Sequence, residues 1–270
     1  MTTMTPDTAT ATLLVEQHGP LARLTINRPK VRNALDAATV RALGDAISHY
    51  DVHSDVRVVI ISGADGAFSS GADIGAASQP GVTADDVFNM LSTGYGPAIQ
   101  SIRNCPWPVI AAVDGVAAGI GCDVALACDI RLASERAVFA ELFIRVGLIP
   151  DGGGTYLLPR LVGIGKALEM MFTGENVPAA EALTLGLANK VYPVDTFAAD
   201  VTAYAEKLAK QSPLALVRGK QAMWAAMHDS SLAESMAREA RLQREIFDSA
   251  DGFEGFRAFL EKRPPVWTGK

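Results

Sequence analysis

Two carboxylates and two glycine-rich turns carry the chemistry open to this chain. Asp123 closes the stretch Gly115-Val-Ala-Ala-Gly-Ile-Gly-Cys-Asp123, which follows the apolar run Pro108-Val-Ile-Ala-Ala-Val113. That run reads as a buried strand, and the glycines lead it into a small-residue helix over roughly 121–128. A helix entered through glycines turns unpaired N–H groups and the positive end of its dipole toward whatever lies in front of it. This is the geometry of an anion or oxyanion site with a carboxylate beside it; with no ligand, Asp123 would simply complement the dipole. A second strand, Val56-Arg-Val-Val-Ile-Ile-Ser62, enters another glycine-rich loop, Gly63-Ala-Asp-Gly-Ala-Phe-Ser-Ser-Gly-Ala-Asp-Ile74. That loop can expose a backbone N–H, assigned to Ala72, so that two loops aim two donors at one oxygen. Asp151, in Ile149-Pro-Asp-Gly152, reads on its own as a turn aspartate capping a helix that starts near Gly154.

The elements that must position these groups follow from periodicity. Residues 11–15 and 21–26 form a hairpin around His18-Gly-Pro20. Val40, Leu43, Ile47 and Tyr50 share one face of a helix between Asp36 and Tyr50. Residues 75–86 lack an apolar period and read as a mobile loop beside the first donor, suited to admitting substrate. A helix then runs from about Val87 to Arg103, and short strands are expected at 130–133 and 137–139. Strand, crossover and strand repeat through the first 190 residues, which predicts right-handed β–β–α turns. From about Asp195 the chain is helical, with Leu232, Met236, Ala240, Ile246 and Phe247 on one apolar stripe. The expected division is a core over 1–194 and a helical region over 195–270.

Composition narrows the function classes. A chain of 270 residues is long enough to bury a large core as one domain with an appendage. No apolar run approaches the roughly 20 residues of a membrane span, and the first eleven residues read as a floppy tail without the pattern of a signal peptide. Cys105, Cys122 and Cys128 form an odd, poorly spaced set that fits reduced thiols, not a disulfide frame or a metal site. The expected compartment is the cytoplasm. A net charge of −6 argues against nucleic acid as the main partner, so an anionic ligand needs a local cluster such as Arg28, Lys30 and Arg32. Gly163-Ile-Gly-Lys166 lacks the leading glycine and the hydroxyl residue of a phosphate-binding loop, and no Gly-x-Ser-x-Gly elbow occurs.

Asn27-Arg-Pro-Lys-Val-Arg-Asn-Ala-Leu35, Phe68-Ser-Ser-Gly-Ala-Asp-Ile74, Gly115 to Asp123, Gly147-Leu-Ile-Pro-Asp-Gly-Gly-Gly-Thr155 and Glu254-Gly-Phe-Arg-Ala-Phe-Leu-Glu-Lys-Arg263 together resemble the crotonase, or enoyl-CoA hydratase/isomerase, superfamily, in its order and over nearly the whole chain. The resemblance implies an α/β fold, a spiral of β–β–α turns with a C-terminal helical region used for trimerisation. It implies a homotrimer or hexamer, and an acyl-CoA thioester as substrate with no separate cofactor. It places the oxyanion donors at the N–H groups of Ala72 and Ile120, where isoleucine replaces a usual glycine and is expected to narrow the acyl space. Arg28, Lys30 and Arg32 resemble the lip that holds the phosphates of coenzyme A, and Ser70, Gly71, Asp73, Ile74, Gly119 and Phe143 fall at substrate-contacting positions.

The hydratases of that superfamily hold a water between two glutamates. Asp123 matches the first, a methylene shorter, and Phe143 falls at the second and cannot transfer a proton. Glu141 is two residues away, about 200° around a helix, and is expected to point elsewhere. Some isomerases of the superfamily resemble this chain in carrying an acid near Asp151. The favoured expectation is therefore double-bond isomerisation with Asp151 as proton shuttle and Asp123 as second acid or orienting group. A hydratase using Asp123 and Asp151, a thioester hydrolase or dehalogenase-like enzyme, and an inactive acyl-CoA binder remain open.

Overall fold

The structure is a computed structural model that describes residues 11–77 and 81–269. Its strands are β1 (Leu13–His18), β2 (Leu21–Ile26), β3 (Val58–Gly63), β4 (Val109–Val113), β5 (Val116–Ala118), β6 (Ile130–Ser134), β7 (Val138–Ala140), β8 (Val177–Pro178) and β9 (Lys190–Tyr192). Six of them form a sheet in the order β1-β2-β3-β4-β6-β9, antiparallel between β1 and β2 and parallel elsewhere. The other three form a small sheet, β5-β7-β8. Each parallel step is made through a crossover, as strand–crossover–strand spacing requires.

The large sheet is apolar on both faces because alternate residues of each strand point opposite ways. Leu24, Val59, Ile61, Ala111 and Val113 pack inward with Leu43 and Ile47 of helix Ala37–Ser48 and with Ile102 of helix Gly96–Asn104. Leu21, Val58, Ile60, Ile110 and Leu132 pack outward against Phe197, Val201 and Ala205 of helix Phe197–Ala209. The first helix of the C-terminal region therefore closes one face of the core sheet.

Residues 75–86 differ from the expected loop. Residues Ile74–Ala77 and Ala84–Met90 are helical, with 78–80 outside the described residues. Thr83 and Asp86 make a reciprocal capping box that starts the second helix without an apolar stripe. That helix continues through a wider turn at Leu91–Tyr95 into Gly96–Asn104. The expected N-terminal tail lies almost wholly outside the described residues.

The C-terminal region adds helices Pro213–Ala226, Leu232–Phe247 and Glu254–Glu261. The first is tied to the core by Asp129, which accepts from Lys220 Nζ at 2.6 Å, Trp224 Nε1 at 3.0 Å and Val109 N at 2.8 Å. The apolar stripe of the second is largely uncovered, with Leu232 76 % and Met236 57 % exposed. No helix among the described residues is long and apolar enough to cross a membrane.

Candidate active site

The loop after β3 lies between two other segments, held by isolated parallel bridges Leu35↔Ala72 and Ser69↔Ala117. Leu35 N donates to Gly71 O at 2.8 Å and Asp73 N to Leu35 O at 2.9 Å. In a parallel bridge it is the flanking peptide groups that bond the partner, so the N–H of Ala72 points away from Leu35. Gly71 makes the turn possible: its φ is +106°, and a Cβ there would stand 3.0 Å from Ala118 O.

The second donor opens helix Ile120–Ala127, whose N-cap, Gly119, has φ 51° and offers no side-chain cap. The Ile120 N–H is thus one of the unpaired donors of a helix start. Gly119 N donates to Ala140 O at 2.8 Å, extending the β5–β7 ladder and fixing the turn. A Cβ on Gly119 would lie 4.0 Å from Gly71 Cα, so the two donor loops meet backbone to backbone. The Ile120 side chain is buried, with its Cδ1 against the backbone of Gly152, so its bulk is taken up in the interior. Phe143 is buried and sets its ring against Gly119, forming a wall at the second donor.

Three acids gather behind these loops. Asp123 is fully buried and its Oδ2 accepts from Gly152 N at 2.9 Å. Burial, reinforced by the charge of Asp151, raises its pKa against the lowering effect of the Gly152 and Gly154 backbone. Glycine at 152 lets that backbone close on the acid, since a Cβ there would stand 2.7 Å from Asp123 Oδ2. Asp151 is half-buried, and burial raises its pKa as well. It does not cap the following helix: helix Gly154–Thr173 takes Gly153, at φ 96°, as its N-cap without a side-chain bond.

Glu141 departs from expectation. It is fully buried beside the Cys122 thiol, and burial together with the neighbouring Asp123 drives its pKa upward. The helical 200° argument fails because Glu141 precedes a 3-10 turn, Leu142–Val146, and has φ −95° and ψ 81°. With a non-helical backbone there, the helical spacing does not apply and Glu141 and Phe143 are both buried.

The expected coenzyme A lip divides. Lys30 and Arg32 are exposed and make no ion pair among the described residues. Arg28 is committed to protein: Nη2 donates to Asp73 Oδ2 at 2.7 Å and lies 3.0 Å from Asp36 Oδ2. Ser70 joins the lip through Ser70 N to Arg32 O at 3.0 Å and Oγ to Val31 O at 3.0 Å. Ile74 is exposed just beyond Ala72. A cavity of about 190 Å³ opens beside Ala72, between Asp73, Val87, Met90 and Tyr95.

Asn33 and Tyr95 were not singled out by the sequence. Asn33, buried at φ 59°, accepts from Arg28 N and donates to Ala64 O and Ala67 O, locking the lip to the β3 loop. Asparagine is among the few residues at ease in that conformation, which is the one signal the sequence offered. Tyr95 donates its hydroxyl to Leu35 O at 2.7 Å; burial, with the charge of Asp151 next, pushes its pKa up to about 12, so it stays a donor.

The loop carrying Ala72 thus meets the start of the Ile120 helix backbone to backbone, with a small cavity beside Ala72 and three raised acids nearby. The model of the enoyl-CoA hydratase/isomerase family matches residues 16–270, and the chain belongs to that family. A probable enoyl-CoA hydratase of Rhodobacter capsulatus is 40 % identical over 250 residues, 93 % of this chain and 95 % of that one. The short-chain-enoyl-CoA hydratase of Clostridium acetobutylicum is 35 % identical over 252 residues, 93 % of this chain and 95 % of that one. The crystal structure of enoyl-CoA hydratase from Bacillus anthracis superposes with a TM-score of 0.91 at 31 % identity, covering 96 % of this chain and all of that one. The protein is an enzyme of this family with a mixed α/β crotonase fold.

Proposed function

We propose that this enzyme moves a double bond along an unsaturated acyl-CoA, with Asp151 as the proton shuttle. The observation that carries this is the pairing of a half-buried Asp151 with a buried phenylalanine, Phe143, where a water-holding glutamate is expected. In a 3-enoyl thioester, Asp151 takes a proton from C2 and the electron pair spreads over the thioester oxygen and C4. The N–H groups of Ala72 and Ile120 hold the developing oxyanion, and such donors contribute about 3–4 kcal/mol each where they have been removed singly. Asp151 returns the proton to C4, leaving a 2-enoyl thioester of unchanged mass. Gly71, Gly119 and Phe143 shape the space at the reacting carbons, Lys30 and Arg32 receive the phosphates, and Asp123 orients or supplies a second acid.

A base must be ionised, so turnover rises with pH through the pKa of Asp151, which burial places above the ordinary aspartate value of 3.8. Mass-resolved conversion of a trans-3-enoyl-CoA tests the reading. Asp151→Asn should lower interconversion at least ~100-fold; full activity would overturn the proposal.

Hydration is the second reading, supported by the names of the relatives, which are hydratases. Asp123 and Asp151 would then hold the water, and the 2-enoyl substrate would gain the mass of one water. Self-association belongs to the same proposal, because the uncovered C-terminal faces suit a trimer or a dimer of trimers.

A further inference from the structure

Arg28 stands where the segment carrying Leu35 meets the loop carrying Ala72. Its guanidinium bridges Asp73, which directly follows the donor Ala72, and Asp36, which directly follows Leu35. The same group donates from Nη1 to Ala34 O. Asp36 is itself fixed, since it caps helix Ala37–Ser48 by accepting from Thr39 N and Thr39 Oγ1, each at 2.8 Å. The main chain ties this segment to the loop through the two hydrogen bonds of the Leu35↔Ala72 bridge and the one from Ser70 N to Arg32 O, and Ala72 and Ile74 are exposed. Without Arg28, two carboxylates would face each other across that bridge and repel it apart. With it, one cation between two anions draws the loop onto a capped helix.

We propose that Arg28 is a positioning residue of the oxyanion site, clamping Asp73 to Asp36 and so aiming the Ala72 N–H, and that it does not grip the phosphates of coenzyme A. The phosphates are left to Lys30 and Arg32, which are exposed and outside any ion pair among the described residues. This rests on the reading of Ala72 N–H as an oxyanion donor. Nη2 meets both carboxylates while Nη1 holds Ala34 O, three contacts from one planar group that a lysine ammonium reproduces only in part.

The test uses the infrared carbonyl stretch of saturated butanoyl-CoA, ¹³C-labelled at C1, bound to the whole enzyme. Wild type should shift the stretch to lower wavenumber; Arg28→Met and Asp73→Asn should each lose about half of that shift or more, through the misaimed donor. Turnover of the 3-enoyl thioester should fall about 10–100-fold in both, and by the same factor on the N-acetylcysteamine thioester, which carries no phosphate. Arg28→Lys should recover part of each loss. A variant that keeps the full carbonyl shift and loses only affinity for the coenzyme A form would overturn the clamp. An unshifted carbonyl in wild type would overturn the donor reading, and the clamp with it. If Arg28→Met shows no melting transition, Asp73→Asn decides, because it retains the Arg28–Asp36 pair.

Discussion

Asp123, Asp151 and Glu141 show how far environment resets a carboxyl group. All three are raised by burial, yet they differ in access: Asp151 is half-buried, whereas Asp123 and Glu141 are sealed. A proton that must reach substrate and return belongs to the accessible acid. Glu141, sealed beside Asp123 and the Cys122 thiol, is driven toward its neutral form, and this has a thermodynamic sign. Its folded pKa lies above the unfolded value of about 4.3, so its contribution to stability is full below that pH and is lost as pH rises toward the folded pKa. Glu141→Gln removes the titration. The unfolding free energy of this variant relative to wild type, from denaturant titrations, should climb between pH 5 and pH 8 with a slope of up to about 1.4 kcal/mol per pH unit; a pH-independent difference would mean Glu141 ionises in place.

At the scale of elements, the site is made where helix starts meet loops. Helix Ile120–Ala127 brings Asp123 inward, and the turn before helix Gly154–Thr173 folds over it. Gly152 is the point of closest approach, with Ile120 Cδ1 and Asp123 both within contact of where a Cβ would sit. Gly152→Ala should therefore destabilise the fold by about 1–3 kcal/mol through overpacking and pull the Asp151 turn off its seat. Denaturant unfolding and turnover should fall together; an unaffected midpoint would show that the turn has slack. The lip was legible as a basic cluster, but the sharing of its charges was not. Arg28, Lys30 and Arg32 look equivalent in sequence, and only the approach of Asp36 and Asp73 takes Arg28 out of the set.

At the scale of the molecule, the C-terminal region is anchored at one end and open at the other. Asp129 fixes helix Pro213–Ala226 to the core, whereas helix Glu254–Glu261 leaves Phe256, Phe259 and Leu260 exposed at 59 %, 82 % and 79 %. Apolar patches of this kind mark surfaces that another molecule covers. Light scattering should find three or six copies of the 28.5 kDa chain, and Phe259→Glu should lower that number. A monomer at micromolar concentration would contradict the assignment of this face to self-association.

The sequence by itself determined the elements whose physics is local. Period-two and period-3.6 patterns located the main strands and helices, and glycine placement marked the turns at Gly71 and Gly119, because side-chain alternation and positive φ leave signatures within a few residues. Five motifs in order carried the family. Tertiary structure decided what depends on approach across the chain. It turned Glu141 inward because a strand end, and not a helix, precedes the 3-10 turn. It set Asp123 beneath the Gly152 backbone, 29 residues on. It paired Arg28 with Asp73, 45 residues on, and so took Arg28 out of the free basic cluster. Burial, pKa and ion-pair choice are properties of neighbours, and neighbours this distant in sequence exist only once the chain has folded.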